Sequence, residues 1–265
     1  MLSIRRLTAA TALACTLPLI AAGAANAQDS APAAAQTSFD AKQTDAIETI
    51  VRAYLIEHPE VLLEALDALE AKRTADQSAA QKAAIAEVGP ALFETPEGTV
   101  LGNPDGDVTV VEFFDYNCGY CKKAMQDMDA LLAADPNIRF VLKEIPVLGP
   151  QSLEAARVSL AFREIAPTDY AAYHRALLGS RGTADEASAI AVAGDFGVEE
   201  AALRTAMQSS AVTEALRQSN EMATRLGING TPSYVVGEEV VPGAVGLDNL
   251  QASIANVREC GTIAC

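Results

Sequence analysis

Two cysteines separated by two residues, Cys118-Gly119-Tyr120-Cys121, are the residues of this chain best suited to covalent chemistry. The run before them, Val108 to Phe114, is apolar and largely β-branched, and predicts a buried strand. A helical pattern starts at Cys121 and continues toward Ala134. Strand, Cys-X-X-Cys and helix put the first thiol at a helix N-terminus, where backbone amides favour negative charge and so a thiolate. Lys122 and Lys123 add positive charge nearby. Cys118 is expected to attack, and Cys121, one turn further in, to resolve the mixed disulfide. Two other uses of the pair remain open. One is an inert disulfide, which the tight and strained ring disfavours. The other is half of a Cys₄ zinc site completed by Cys260 and Cys265, against which the imperfect spacing counts.

Three further residue sets bear on that chemistry. Glu112 interrupts the apolar strand and shares a face with Val110 and Phe114 by its even offset. A carboxyl there is desolvated, its pKa rises, and it can exchange a proton with Cys121. Lys143, in the strand candidate that contains Arg139 to Lys143, is expected to partner Glu112; the alternative is that both are strand-edge charges facing water. Thr231-Pro232 follows Gly227 to Gly230 and immediately precedes a strand, so Pro232 is either a cis-proline or an ordinary trans proline at a strand start. His58 and His174 are the only histidines, and neither sits in a constellation that calls for a metal or a triad. His174 reads as a packing residue, and no metal or resident cofactor is expected.

The elements that must position these groups follow from the rest of the chain. It has 265 residues, half of them hydrophobic, enough for a sizeable core. A formal charge of −16 excludes a nucleic-acid partner, which would need a basic face. Arg5 and Arg6 precede an apolar run that ends in Ala25-Asn26-Ala27, a signal-peptide pattern cleaved after Ala27. This implies export to an oxidising periplasm and removes Cys15, leaving Cys118/Cys121 and Cys260/Cys265 as two close pairs. Residues 28–38 are rich in Ala, Gln, Ser and Pro and read as a disordered leader. Residues 39–94 read as helical. Ile47, Ile50, Val51, Tyr54 and Leu55 form one apolar stripe, His58-Pro59 breaks it, and Leu62, Leu63, Leu66 and Leu69 form a second. Such short stripes are unstable alone and must pack on the main domain or on copies of themselves.

Residues 95–265 read as one α/β domain. A short strand near Thr99 to Leu101, the strand before Cys118, its helix, and a strand over Ile138 to Ile145 come first. An all-helical insertion over about 150–227 follows. A hairpin about Gly237 and a helix over Leu247 to Val257 close the domain. Cys260 and Cys265 are expected to form a small C-terminal disulfide staple.

Three segments carry a resemblance to a known family: Gly102 through Cys121, Phe140 through Gly149, and Gly227 through Val235. Together they resemble the DsbA family of thioredoxin-fold proteins over roughly Thr95 to Val257. The resemblance implies a thioredoxin fold with a helical insertion, a buried acid at Glu112, and a cis-proline at Pro232 facing the two cysteines. The details depart from the archetypal oxidase, which usually carries Pro-His between the cysteines and Val before the proline. Gly119-Tyr120 and Thr231 look like the DsbC-type isomerases. Tyr54 through Leu66 looks like the oligomerisation region of the ScsC-like and Com1-like branch. These likenesses imply a homotrimeric isomerase or reductase, acting on client proteins that contain cysteines and kept reduced by a DsbD-type membrane partner. The alternatives are a monomeric oxidase recharged by a DsbB-type partner, and a protein that sequesters metal or holds clients.

Overall fold

The computed structural model describes residues 39–265. The expected signal peptide, its cleavage site, Cys15 and the leader over 28–38 lie outside the described residues. The chain divides into two compact units, one ending at Leu62 and the other beginning at Leu63.

In the first unit, α1 (Ala41–Glu57) is opened by a capping box. Asp40 accepts from the Gln43 backbone N–H, and the Gln43 side chain accepts from the Asp40 N–H. The helix ends at His58, as Pro59 requires. None of its residues is buried. Ile50, Val51 and Tyr54 are each at least half exposed, so the stripe read from the sequence exists and is uncovered.

The next helix, α2 (Glu60–Val88), starts in the first unit, continues into the second and ends in a 3₁₀ turn, Gly89–Leu92. The strands are β1 (Leu101–Gly102), β2 (Val108–Phe114), β3 (Ile138–Glu144), β4 (Ser233–Val236) and β5 (Glu239–Pro242). They form one sheet in the order β1-β3-β2-β4-β5. Only the β2–β3 pair is parallel; the other three pairings are antiparallel. The parallel pair needs a crossover, and α3 (Gly119–Ala134) supplies it. Between β3 and β4 the chain is helical: α4 (Pro150–Ile165), α5 (Tyr170–Leu178), α6 (Glu186–Asp195), α7 (Glu200–Ala206) and α8 (Ser210–Arg225). Finally, α9 (Leu247–Cys260) follows the β4–β5 hairpin. Gly237 in that hairpin has φ +60°, a conformation that a residue with a Cβ resists. This is the expected thioredoxin-like α/β fold with its helical insertion.

Each strand face buries a different core. Val108, Val110 and Phe114 of β2 lie in the larger core with Ile138, Phe140 and Leu142 of β3 and with residues of α3, the insertion and α9. Val111 and Phe113 lie in a second core with Val141, Val235, Met222 and Ile228. Ile85 and Leu92 join this second core, and Ala84, Val88 and Phe93 pack on it. The end of α2 and its 3₁₀ turn are therefore part of the catalytic unit, although the sequence suggested a helical connector ending near 94. Inside the insertion, Phe162 is fully buried, stacked on Tyr173 at a centroid distance of 4.1 Å and edge-on to Phe196. Phe162→Ala should lower stability by about 3–5 kcal/mol, read as an earlier urea midpoint with an unchanged native far-UV spectrum.

Candidate active site

The turn from β2 to α3 is held by backbone and side-chain hydrogen bonds. Asp115 is buried, and its carboxylate accepts the N–H groups of Asn117 (2.8 Å), Val147 (2.8 Å) and Leu148 (3.0 Å). The Asp115 carbonyl accepts the Cys118 N–H at 3.0 Å. Asn117 donates to Ser152 Oγ and the Ala184 carbonyl, and its Oδ1 accepts the Ala184 N–H at 2.7 Å. The turn is thus tied to the start of α4 and to the loop before α6. Sequence reasoning missed both residues. The available signal was the preference of Asp and Asn for turns in which the side chain bonds nearby backbone.

Cys118 is the N-cap of α3 and Cys121 lies in its first turn. Both are free thiols. Cys118 is 6% exposed and Cys121 is fully buried, so the first sulfur is the one a substrate can reach. The Cys118 thiol donates to the Thr231 carbonyl at 3.1 Å. The Thr231–Pro232 peptide is cis. Lys122 is held by the insertion. Its Nζ donates to the Ser180 carbonyl at 2.9 Å and lies 3.4 Å from the Gly182 carbonyl, which pins α3 to the insertion. Gly119 and Tyr120 fill the first turn of α3, with Tyr120 largely exposed.

Glu112 faces the larger core, opposite Leu142 of β3 and Tyr234 of β4. It is 3% exposed, and burial raises its pKa to about 8. Cys121 is pushed well up, first by its own burial and then by the Glu112 carboxyl. Each group is therefore held neutral near pH 7 and made sensitive to the proton on the other. A carboxylate at Glu112 can take the proton that Cys121 must lose to become a nucleophile.

The expected partnership of Lys143 with Glu112 is not made. In the parallel register Lys143 sits opposite Phe113, so its side chain leaves the sheet on the face away from Glu112. Its Nζ donates to the Glu94 carbonyl at 2.7 Å and the Ala91 carbonyl at 3.2 Å. Cys260 and Cys265 form a disulfide, with Cα atoms 6.3 Å apart. That bond uses the two thiols a Cys₄ zinc site would have needed.

A second buried polar cluster stands behind the turn. Glu144, at the end of β3, accepts from Ser159 Oγ at 2.8 Å and Tyr170 Oη at 3.0 Å. Ser159 also meets the hydroxyl of Tyr116 at 2.7 Å. Burial lifts the Glu144 pKa to about 7. His174 packs edge-on against Phe114 at 4.7 Å, and burial, with help from Arg175, lowers its pKa to about 3. It is a neutral packing histidine. The only sign of this cluster in the sequence was the number of polar residues among apolar ones; which of them meet is a tertiary matter.

Fold and site define a dithiol protein of the thioredoxin-like class. A family model for the DSBA-like thioredoxin domain matches residues 109–255, and one for the copper resistance protein ScsC N-terminal domain matches residues 43–75. The chain belongs to the DsbA-like thioredoxin family and is a thiol–disulfide oxidoreductase of that family.

Solved relatives agree. A thioredoxin-like oxidoreductase from Silicibacter pomeroyi DSS-3 is 45% identical, with TM-score 0.61, over 65% of this chain and 98% of that one. Proteus mirabilis ScsC in a transitional conformation is 28% identical, with TM-score 0.60, over 83% of this chain and 96% of that one. Salmonella enterica Typhimurium BcfH is 27% identical, with TM-score 0.67, over 81% and 95%. The Na(+)/H(+) antiporter NhaA 1 of Salinispora arenicola (strain CNS-205) is 24% identical over 165 residues, which span 59% of this chain. This chain covers 24% of the antiporter's length. Among the described residues no helix is long and apolar enough to cross a membrane.

The raised pKa of Glu112 has a signed consequence for stability. Between the ordinary value of 4.5 and about 8 the folded protein holds a proton that the unfolded chain releases. Stability contributed by the neutral carboxyl is complete below the lower value and is lost as pH rises through the upper one. Glu112→Gln should therefore unfold at higher urea than the parent at about pH 9, by up to about 5 kcal/mol, with the gap closing toward about pH 4. A gap that does not depend on pH would contradict this reading of Glu112.

Proposed function

We propose that this protein is a periplasmic, homotrimeric isomerase or reductase of protein disulfides. The observation that carries the reading is the pair of free thiols, one reachable and one buried beside a neutral acid, with the Thr231 carbonyl against the reachable sulfur. The Cys118 thiolate attacks a client disulfide. A Cys118–client bond forms, the client's own S–S bond breaks, and one client sulfur leaves as a thiolate. In isomerisation that client thiolate, or another of the client, attacks elsewhere and finally expels Cys118 unchanged. In reduction, Glu112 first releases its own proton to solvent, then as a carboxylate takes the proton of Cys121, which attacks Cys118. The Cys118–Cys121 bond forms, the second client thiolate leaves, and two electrons pass to the client. A membrane reductase of the DsbD type would restore the dithiol.

Several features favour this direction. Gly119-Tyr120 places no histidine between the cysteines to stabilise a thiolate and so the reduced form, which makes the pair a weaker oxidant. Exposed Tyr120, Val147, Leu148 and Leu153 offer apolar contacts, as an unfolded client segment requires. Val147 and Leu148 are anchored to the turn through Asp115. The exposed stripes, Ile50 and Tyr54 on α1 and Leu63 and Leu66 on early α2, each offer an apolar face for self-association. That segment lies within the stretch that matches the ScsC N-terminal domain. Export through the signal peptide over 1–27 would supply the compartment.

Reduced protein should reactivate scrambled ribonuclease. Cys118→Ser should abolish that activity, and Cys121→Ser should accumulate client mixed disulfides visible on non-reducing gels. Rapid oxidation of reduced ribonuclease without reactivation of the scrambled form would instead identify a DsbA-type oxidase. Light scattering on the processed chain should give a trimer, and Ile50→Asp with Leu63→Asp should give a monomer; a monomeric parent would remove the oligomeric part of the proposal.

A further inference from the structure

The face of the sheet away from the dithiol carries a cavity of about 520 Å³, lined in part by Lys143, Arg163, Glu94, Gln218, Ser219 and Met222. Its two cations are half-buried. Lys143 and Arg163 have no carboxylate within 4.0 Å among the described residues. Lys143 spends two donors on the Ala91 and Glu94 carbonyls, which fixes its ammonium at the cavity wall with a third donor left over. Arg163 lays its guanidinium over the Tyr170 ring, 5.9 Å from the centroid, its buried Nε has no hydrogen-bond partner among the described residues, and beyond 4.0 Å it feels the buried Glu144 carboxyl, one oxygen of which is likewise unpartnered. A guanidinium engaged through its face keeps its N–H edges for a planar or forked oxyanion.

We propose that this cavity is a binding site for a small multivalent oxyanion, a phosphate or a low-molecular-weight polycarboxylate, held between Lys143 and Arg163. The site is separate from the dithiol, because Lys143 and Glu112 leave the sheet on opposite faces. Its uncharged wall, Gln218, Ser219 and Met222 of α8, adds two hydrogen-bonding side chains and one apolar contact.

The charges around Lys143 give the site a pH signature. Burial lowers its pKa to about 8, and Arg163 and Arg139 push the same way while Glu94 opposes them. A bound anion would offset those two cations and favour the ammonium, so binding takes up a proton when it begins above about pH 8.

Calorimetric titration of the processed protein with sodium phosphate and, separately, with sodium citrate, at constant ionic strength, tests the site. Saturable binding of either anion is expected at about pH 7, weaker by about tenfold at about pH 9.5. Phosphate alone or citrate alone would identify which oxyanion the cavity prefers. Lys143→Gln should weaken binding and remove most of the pH dependence, and Lys143→Gln with Arg163→Gln should abolish it. No saturable heat with either anion would overturn the proposal. So would undiminished binding by the folded double variant. The single variants Lys143→Gln and Arg163→Gln, each checked for a native far-UV spectrum, decide the matter if the double variant does not fold: undiminished binding by both would overturn the proposal.

Discussion

The burial of a carboxyl and a thiol in one apolar core is the constraint on which the site depends. Glu112 would be out of place in a strand that is buried on both faces if stability alone were at stake. Desolvation keeps it protonated well above the ordinary carboxylate range, and the same core keeps the Cys121 thiol from ionising. Neither group can charge without disturbing the other. A reachable sulfur at the helix start and a buried sulfur that feels the Glu112 carboxyl make an asymmetric pair. That asymmetry gives the two cysteines different roles.

The rest of the catalytic unit fixes this arrangement. Parallel β2 and β3 bring the ends of both strands to the same edge, and the residues after each end meet there through Asp115. Asn117 reaches across to the insertion, and Thr231 arrives from the loop before β4. The helical insertion is thus more than a cover. Through Ser152, Ala184, Ser180 and Ser159 it holds the turn, the first helix and the cluster around Glu144.

Much of this was legible in the sequence where the signal is local. The strand ending at Phe114, the helix that follows Cys118, and the face shared by Val110, Glu112 and Phe114 all follow from periodicity in one segment. The break at His58-Pro59 and the apolar stripes on either side of it were readable for the same reason, but not what would cover them. Lys143 shows where local reading stops. Its alternation with Arg139 and Val141 is plain, but which face of β3 joins the face of Glu112 depends on register, and Lys143 falls opposite Phe113. The end of α2 misled in a similar way. Its Ala-rich composition suggests a polar connector, yet Ile85 and Leu92 are buried against the sheet because a second core needed covering. Asp115 and Glu144 were invisible as site residues, since the partners of Glu144 lie 15 and 26 positions away and those of Asp115, apart from Asn117, 32 and 33.

The most direct test of the central claim is the redox equilibrium of the dithiol with glutathione, read by alkylation of the thiols and mass analysis. A single reversible two-electron transition confined to Cys118 and Cys121 is predicted, with Cys260–Cys265 oxidised throughout. Glu112→Gln should change how the transition midpoint depends on pH near about 8, where the buried carboxyl exchanges its proton. A Cys118–Cys121 pair that fails to equilibrate, or a midpoint whose pH dependence ignores Glu112, would contradict the account.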